Sequence, residues 1–110
     1  MIKTEIFKYN FSEEFTRYPG PRFKRLGKYS GEEFRDDILK PLLENNELIE
    51  IDASNIRSFN PSFLDEVFSY LAEELGLEEF KKRINFYSTT DKNLEKKMMS
   101  YVLNYLNKDN

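Results

Sequence analysis

The chain has 110 residues, 39% of them hydrophobic and 34% charged, with a net charge of −3. That length suits one domain over residues 1–110, burying roughly two-thirds of its unfolded surface, and the acidic balance offers no global attraction to nucleic acid or acidic membranes. Cysteine and histidine are both absent, which excludes a disulfide framework, a thiol nucleophile, a thiolate metal site and the commonest general base.

Ile2 to Tyr9 alternates loosely between apolar and polar residues and reads as an edge strand with one wetted face. Asn10 to Tyr18 sustains no period, so an irregular connection with one short helical turn is expected. Pro19-Gly20-Pro21 predicts a turn, because two fixed φ angles flank a residue that tolerates positive φ. Arg22 to Tyr29 reads as a second strand, with Phe23 and Leu26 facing one way and Gly27 as a bulge or strand end.

Ser30-Gly31-Glu32-Glu33 is a capping box, serine at the N-cap and glutamate three residues on. The helix it opens is expected to bury Phe34, Ile38, Leu39 and Leu42, and Pro41 predicts a kink or an early end. Leu48 to Ile51 reads as a buried strand, followed by the turn-forming cluster Asp52 to Asn55. Asn60 suits the N-cap of the next helix and Pro61 its first position. On that helix Phe63, Leu64, Val67, Phe68, Leu71 and Leu75 share one face. Ser62, Glu66, Ser69 and Glu73 share another, expected to point outward.

Gly76 suits the residue just past a helix end. Leu77 to Lys82 predicts a short helix packed by Leu77 and Phe80, and Ile84 to Ser88 another strand. Thr89, Thr90 or Asp91 is expected to cap a last helix with Leu94, Met98, Met99, Val102, Tyr105 and Leu106 on its apolar face. The order β-β-α-β-α-β-α gives an α/β fold, with an about four-stranded mixed sheet packed with helices. Its first strand is expected antiparallel at an edge and the others parallel. Strand–helix loops leave a parallel sheet at the carboxyl ends of its strands. Ser30, Asn60 to Ser62 and Ser88 to Asp91 should therefore gather there, with the Pro19–Arg22 turn at the opposite edge.

Three stretches carry a family resemblance: Pro19-Gly20-Pro21-Arg22, Gly27-x-x-Ser30-Gly31-Glu32-Glu33-Phe34-Arg35, and Ser62-Phe63-Leu64-Asp65-Glu66-x-Phe68. With a central strand ending in Asp52-x-Ser54, they resemble the bacterial STAS-like domain family of unknown function and, more broadly, the STAS domains of anti-anti-sigma factors. The resemblance implies a non-enzymatic regulatory module. It would bind a protein partner, a kinase-type ATPase encoded nearby being the candidate, at the N-terminal region of the helix after the central strand. That region holds Asn60, Ser62, Asp65, Glu66 and Ser69 as candidate partner contacts. In anti-anti-sigma STAS domains this helix opens with Asp-Ser-Ser-Gly-Leu, and the ATPase phosphorylates the first serine. Aligned on the leucine, Pro61 takes that position, so a phosphoacceptor role carries over only with a one-residue shift to Ser62.

Arg17, Arg22, Lys24, Arg25 and Lys28 form a basic run interleaved with aromatic residues. The plainer reading is a solvated strand face. The alternative is a small-ligand or nucleic-acid surface over Arg17–Lys28. Arg22 and Ser30 are candidate anion or partner contacts, and Arg22 has a second reading as the mate of an acidic residue that fixes the turn. The carboxylates Glu32, Glu33, Asp36, Asp37, Asp65 and Glu66 do not converge by spacing on a hard metal, and no phosphate-binding loop is present. Neither catalysis, a metal nor a cofactor is expected. No apolar run approaches the ~20 residues needed to span a bilayer, and nothing resembles a secretion signal. The expected compartment is the cytoplasm.

Overall fold

The computed structural model describes residues 6–108. Three strands, β1 (Ile6–Asn10), β2 (Leu48–Asp52) and β3 (Ile84–Tyr87), form a parallel sheet in the order β1-β2-β3. The helices are α1 (Phe11–Glu14), α2 (31–45), α3 (61–75), α4 (Leu77–Arg83) and α5 (Leu94–Leu106). Both long crossover helices are wound partly as π-helix, α2 over Phe34–Leu39 and α3 over Asp65–Ser69.

Strand register puts Tyr9, Ile51 and Phe86 in one row and Phe7, Ile49 and Ile84 in another. These side chains point into a single core with Phe34 and Leu39 of α2, Phe63, Leu64, Val67, Phe68 and Leu71 of α3, Phe80 of α4, and Met98 and Val102 of α5. The opposite face carries Lys8, Glu50 and Asn85 in register, with Lys8 and Asn85 exposed and Glu50 half-buried. Phe11 is fully buried, with its ring 5.0 Å from Phe34, 5.2 Å from Phe15 and 5.2 Å from Phe59. The high phenylalanine content is thus spent on an aromatic core. Tyr9 is buried as well, and its hydroxyl has no partner among the described residues. Burial, reinforced by the Glu14 charge, pushes that phenol up to about 12.

Several expectations change. The residues of the first strand described here pair parallel with β2, not antiparallel; Ile2 to Glu5 of the expected strand lie outside the described residues. Arg22 to Tyr29 is not a strand, so the sheet has three strands among the described residues. Without that intervening strand, β1 is followed in the sheet by β2, reached through a helical crossover that returns the chain in the same direction. Residues 22–29 instead close a loop. Gly20 N–H donates to Tyr29 O at 2.8 Å, Gly31 N–H to Pro21 O at 2.9 Å, and Glu32 N–H to Arg22 O at 3.0 Å. A Cβ on Gly20 would collide with the Lys28 carbonyl, so only glycine lets the two arms lie this close. Between them Lys24–Leu26 makes a 3-10 turn, which leaves Leu26 exposed rather than facing a core.

Pro41 does not end α2, which continues to Asn45. The preceding turn is the π segment, where the Lys40 N–H reaches back five residues to Arg35 O. The helix thus changes its winding just before the residue that lacks a donor. At its far end Arg83 of α4 donates to the carbonyls of Leu43, Asn46 and Glu47, satisfying acceptors that the helix itself leaves open. For α5 none of the three expected caps is the N-cap residue. Asn93 holds that position, and Asp91 accepts its N–H at 3.1 Å.

Candidate functional site

The site is built where α2 approaches the first turns of α3. Ser30 caps α2, its Oγ accepting the Glu33 N–H at 3.0 Å, while the Glu33 carboxylate accepts from Tyr29 N–H rather than from the cap residue itself. Gly31 follows and permits the contact. A Cβ there would lie 2.9 Å from the Phe63 carbonyl oxygen and 3.1 Å from Glu66 Cβ. The missing side chain lets α2 rest on the backbone of α3, and Glu66 is consequently covered.

Glu66 is 2% exposed, which contradicts its expected place on an outward face. An isolated buried carboxylate would cost several kcal/mol. Two guanidinium groups answer it. Arg35 of α2 donates to Glu66 Oε2 and, at 2.9 Å, to the Glu66 carbonyl oxygen. Arg22 donates to Glu66 Oε1 at 3.2 Å and to Asp65 Oδ2 at 2.9 Å. Asp65 in turn accepts the Ser69 hydroxyl at 2.6 Å. Ser69 is fully buried, so the second expected outward residue also turns in. Both lie in the π-helical segment of α3, on the side that α2 covers through Gly31 and Arg35. Arg35 also holds Asp36, whose carboxyl sits below the ordinary range because of that hydrogen bond.

Arg22 therefore takes its second reading, as the mate of acidic residues. Its turn lies beside the N-termini of α2 and α3, not at the opposite edge, because residues 19–22 pair with 29–32 instead of leading into a strand. The three sequence stretches singled out above thus meet at one point. Pro21 and Arg22 bond Gly31 and Glu32, Gly31 packs on Phe63, and Arg22 and Arg35 share Glu66.

What this brace holds is the N-terminus of α3. Asn60 caps it, its side-chain oxygen accepting the Ser62 N–H at 3.1 Å and the Ser62 hydroxyl at 3.0 Å. Asn60 is exposed, while Ser62 and Asp65 are half-buried. Pro61, at the position that aligns with a phosphorylated serine, has no hydroxyl, and the hydroxyl of Ser62 is turned back onto Asn60. Ser30 is fully buried, so it acts as a helix cap and not as a surface contact. Beside Ser62 a groove of about 440 Å³ opens between α3 and α5, lined by Arg22, Ser62, Asp65, Tyr101, Tyr105 and Lys108.

Of the rest of the basic run, Lys24, Arg25 and Lys28 border one shallow depression of the loop, and Arg17 lies apart from them. Lys24 pairs with Asp37 at 3.1 Å, Arg25 lies over the Phe23 ring, and Arg17 belongs to a separate cleft. That cleft, of about 590 Å³, is framed by the loops leaving β2 and β3. Sequence reasoning placed Asn60–Ser62 and Ser88–Asp91 near the carboxyl ends of the strands but did not single out Arg57, from the loop after β2, or Lys97 and Tyr101, one turn apart on α5, which share no motif. Among the described residues no cluster of carboxylates fits a metal ion, and no helix is long and apolar enough to cross a membrane.

A family model described as a STAS-like domain of unknown function (DUF4325) matches residues 30–94, more than half of the chain. The matched range takes in α2, β2, α3, α4 and β3, and leaves out the Pro19–Arg22 turn. No curated protein and no solved structure matches the chain.

Proposed function

The chain belongs to the family of STAS-like domains of unknown function, and from that premise we propose that it is a non-enzymatic regulatory module that binds a protein partner through the N-terminal region of α3. The observation that carries the reading is the cap formed by exposed Asn60 and half-buried Ser62 beside the groove between α3 and α5. Interfaces favour tyrosine and arginine at their centres, and Tyr101, Tyr105 and Arg22 line this groove. Lys108 and the positive end of α3 favour an acidic loop on the partner. The likeness to anti-anti-sigma factors makes a kinase-type ATPase the first partner to try.

The contact residues in this proposal are Asn60, Ser62 and Asp65. Glu66 and Ser69 support them from inside. Phosphorylation of Ser62 is not part of the reading, since the aligned phosphoacceptor position is Pro61. The test is affinity capture with wild type, Ser62→Asp and Ser62→Ala, followed by a measured dissociation constant for the purified partner. A negative charge in the first turn of a helix is neutral or stabilising, typically by ~0.3–1 kcal/mol. The expected result is an unchanged or raised melting temperature with at least about tenfold weaker binding for the Asp variant, equivalent to ~1.4 kcal/mol. Equal affinity in all three proteins removes this surface from the interface.

A further inference from the structure

We propose that the cleft between the β2–α3 and β3–α5 loops binds a small molecule carrying a phosphate group on a planar ring. Its volume of about 590 Å³ lies within the ~300–1,000 Å³ typical of small-molecule sites. Except for Tyr101, the residues that define it differ from those of the α3–α5 groove, so it stands apart from the partner surface.

Charge is the first argument. Arg17, Arg57 and Lys97 line the cleft in a chain whose net charge is −3. Asp91 is the one carboxylate among the lining residues, and it pairs with Lys97 at 3.5 Å. Neither arginine has an acidic partner within salt-bridge distance among the described residues. Two guanidinium forks facing one space suit the oxygens of a phosphate, which accepts paired N–H bonds. The first residue of α5, Leu94, also borders the cleft, so the positive end of that helix adds to the same field.

Shape is the second. Tyr18 stands at the cleft, 67% exposed, and Tyr101 and Phe59 are half-buried in its walls. Exposed aromatic surface beside exposed cations offers a ring face and an anion site together. The loops beneath are tied to each other. Thr89 donates to Ser54 Oγ from both its N–H, at 2.8 Å, and its hydroxyl, at 2.9 Å, and Asn55 N–H donates to Thr90 Oγ1 at 2.9 Å. Asn55 holds a left-handed backbone, with φ of 65°. Such bonds fix the loops in advance and reduce the ordering cost of binding.

The experiment titrates the full chain with phenyl phosphate, phenol and inorganic phosphate while following backbone amide resonances. Phenyl phosphate should shift Asn55, Ser58 and Thr90 saturably, and bind at least tenfold more tightly than either fragment. The double variant Arg17→Gln/Arg57→Gln replaces two exposed side chains, so it should melt like wild type and bind phenyl phosphate at least tenfold more weakly. Tyr18→Ala should weaken phenyl phosphate and leave inorganic phosphate unchanged. Shifts that do not saturate, or equal affinity in the double variant, would overturn the proposal. So would an oligonucleotide that outcompetes phenyl phosphate a hundredfold at the same amides, which would make the cleft a nucleic-acid contact.

Discussion

The Arg35 guanidinium of α2 grips Glu66 of α3 twice, through the carboxylate and through the main-chain carbonyl at 2.9 Å. Both residues lie in the π-helical turns of their helices. The pair therefore couples two helix turns that neither helix would adopt from propensity alone. Removing the Glu66 charge leaves Arg35 and Arg22 facing a neutral group in a largely dry place. Glu66→Gln should destabilise the protein by ~3 kcal/mol, near the lower end of the cost of breaking a buried pair. Chemical denaturation measures it, and a double-mutant cycle with Arg35→Met should return a coupling energy well above zero. A cost below ~1 kcal/mol would mean the pair is solvated.

Gly31 sets how near α2 comes to α3. Gly31→Ala puts a methyl group 2.9 Å from the Phe63 carbonyl oxygen, which belongs to the backbone and has little room to yield. The expected loss is ~1–3 kcal/mol, as for overpacking elsewhere. Alanine favours a helix interior over glycine by up to ~1 kcal/mol, so a stability gain in thermal melts would show that the two helices separate at little cost.

Tyr9 offers the opposite sign. Its buried hydroxyl has no partner among the described residues, and an unpaired buried polar group costs ~1–3 kcal/mol. Tyr9→Phe should match or exceed the wild-type melting temperature. The phenol titrates at about 12 in the folded chain against an ordinary value of 10.0. Between those values the unfolded chain loses its proton first, so stability falls as pH rises from about 10 to about 12. Below pH 10 the group contributes no pH dependence. The Phe variant should lack this component of alkaline unfolding, and an identical alkaline limb in both proteins would place the hydroxyl in contact with water.

The exposed part of the basic loop should be dispensable. Lys24, Arg25 and Lys28 contact only surface partners, Asp37 and the Phe23 ring among them. Changing all three to Gln should leave the melting temperature and phenyl phosphate binding nearly unchanged, because exposed ion pairs contribute little. A tenfold loss of phenyl phosphate affinity in that variant would relocate the anion site to this loop.

Where local rules suffice, residues alone specified the element. Asn60-Pro61 starts α3, Ser30 with Glu33 starts α2, Gly76 ends α3, and Ile49 and Ile51 of β2 are buried. Each depends on a side chain meeting backbone within a few residues, or on one strong apolar pattern. The α/β class and the family likeness follow from the order of such elements. Arg22–Tyr29 misled because Phe23 and Leu26, three residues apart, lack the two-residue period of a strand face, and the fate of that segment is set by bonds between residues 19–22 and 29–32.

Tertiary structure decided the rest. Nothing in the spacing of Glu66 and Ser69 marks them as buried, since a regular helix turns both outward. They are buried because Gly31 lets α2 press against α3, where two arginines from distant positions supply the countercharge to Glu66 and Asp65 accepts the Ser69 hydroxyl. The cleft residues Arg17, Arg57 and Lys97 lie forty residues apart in sequence and meet only after the sheet has formed. Burial of a charge is permitted or forbidden by what the fold brings to it, and that partner is not encoded in the neighbouring residues.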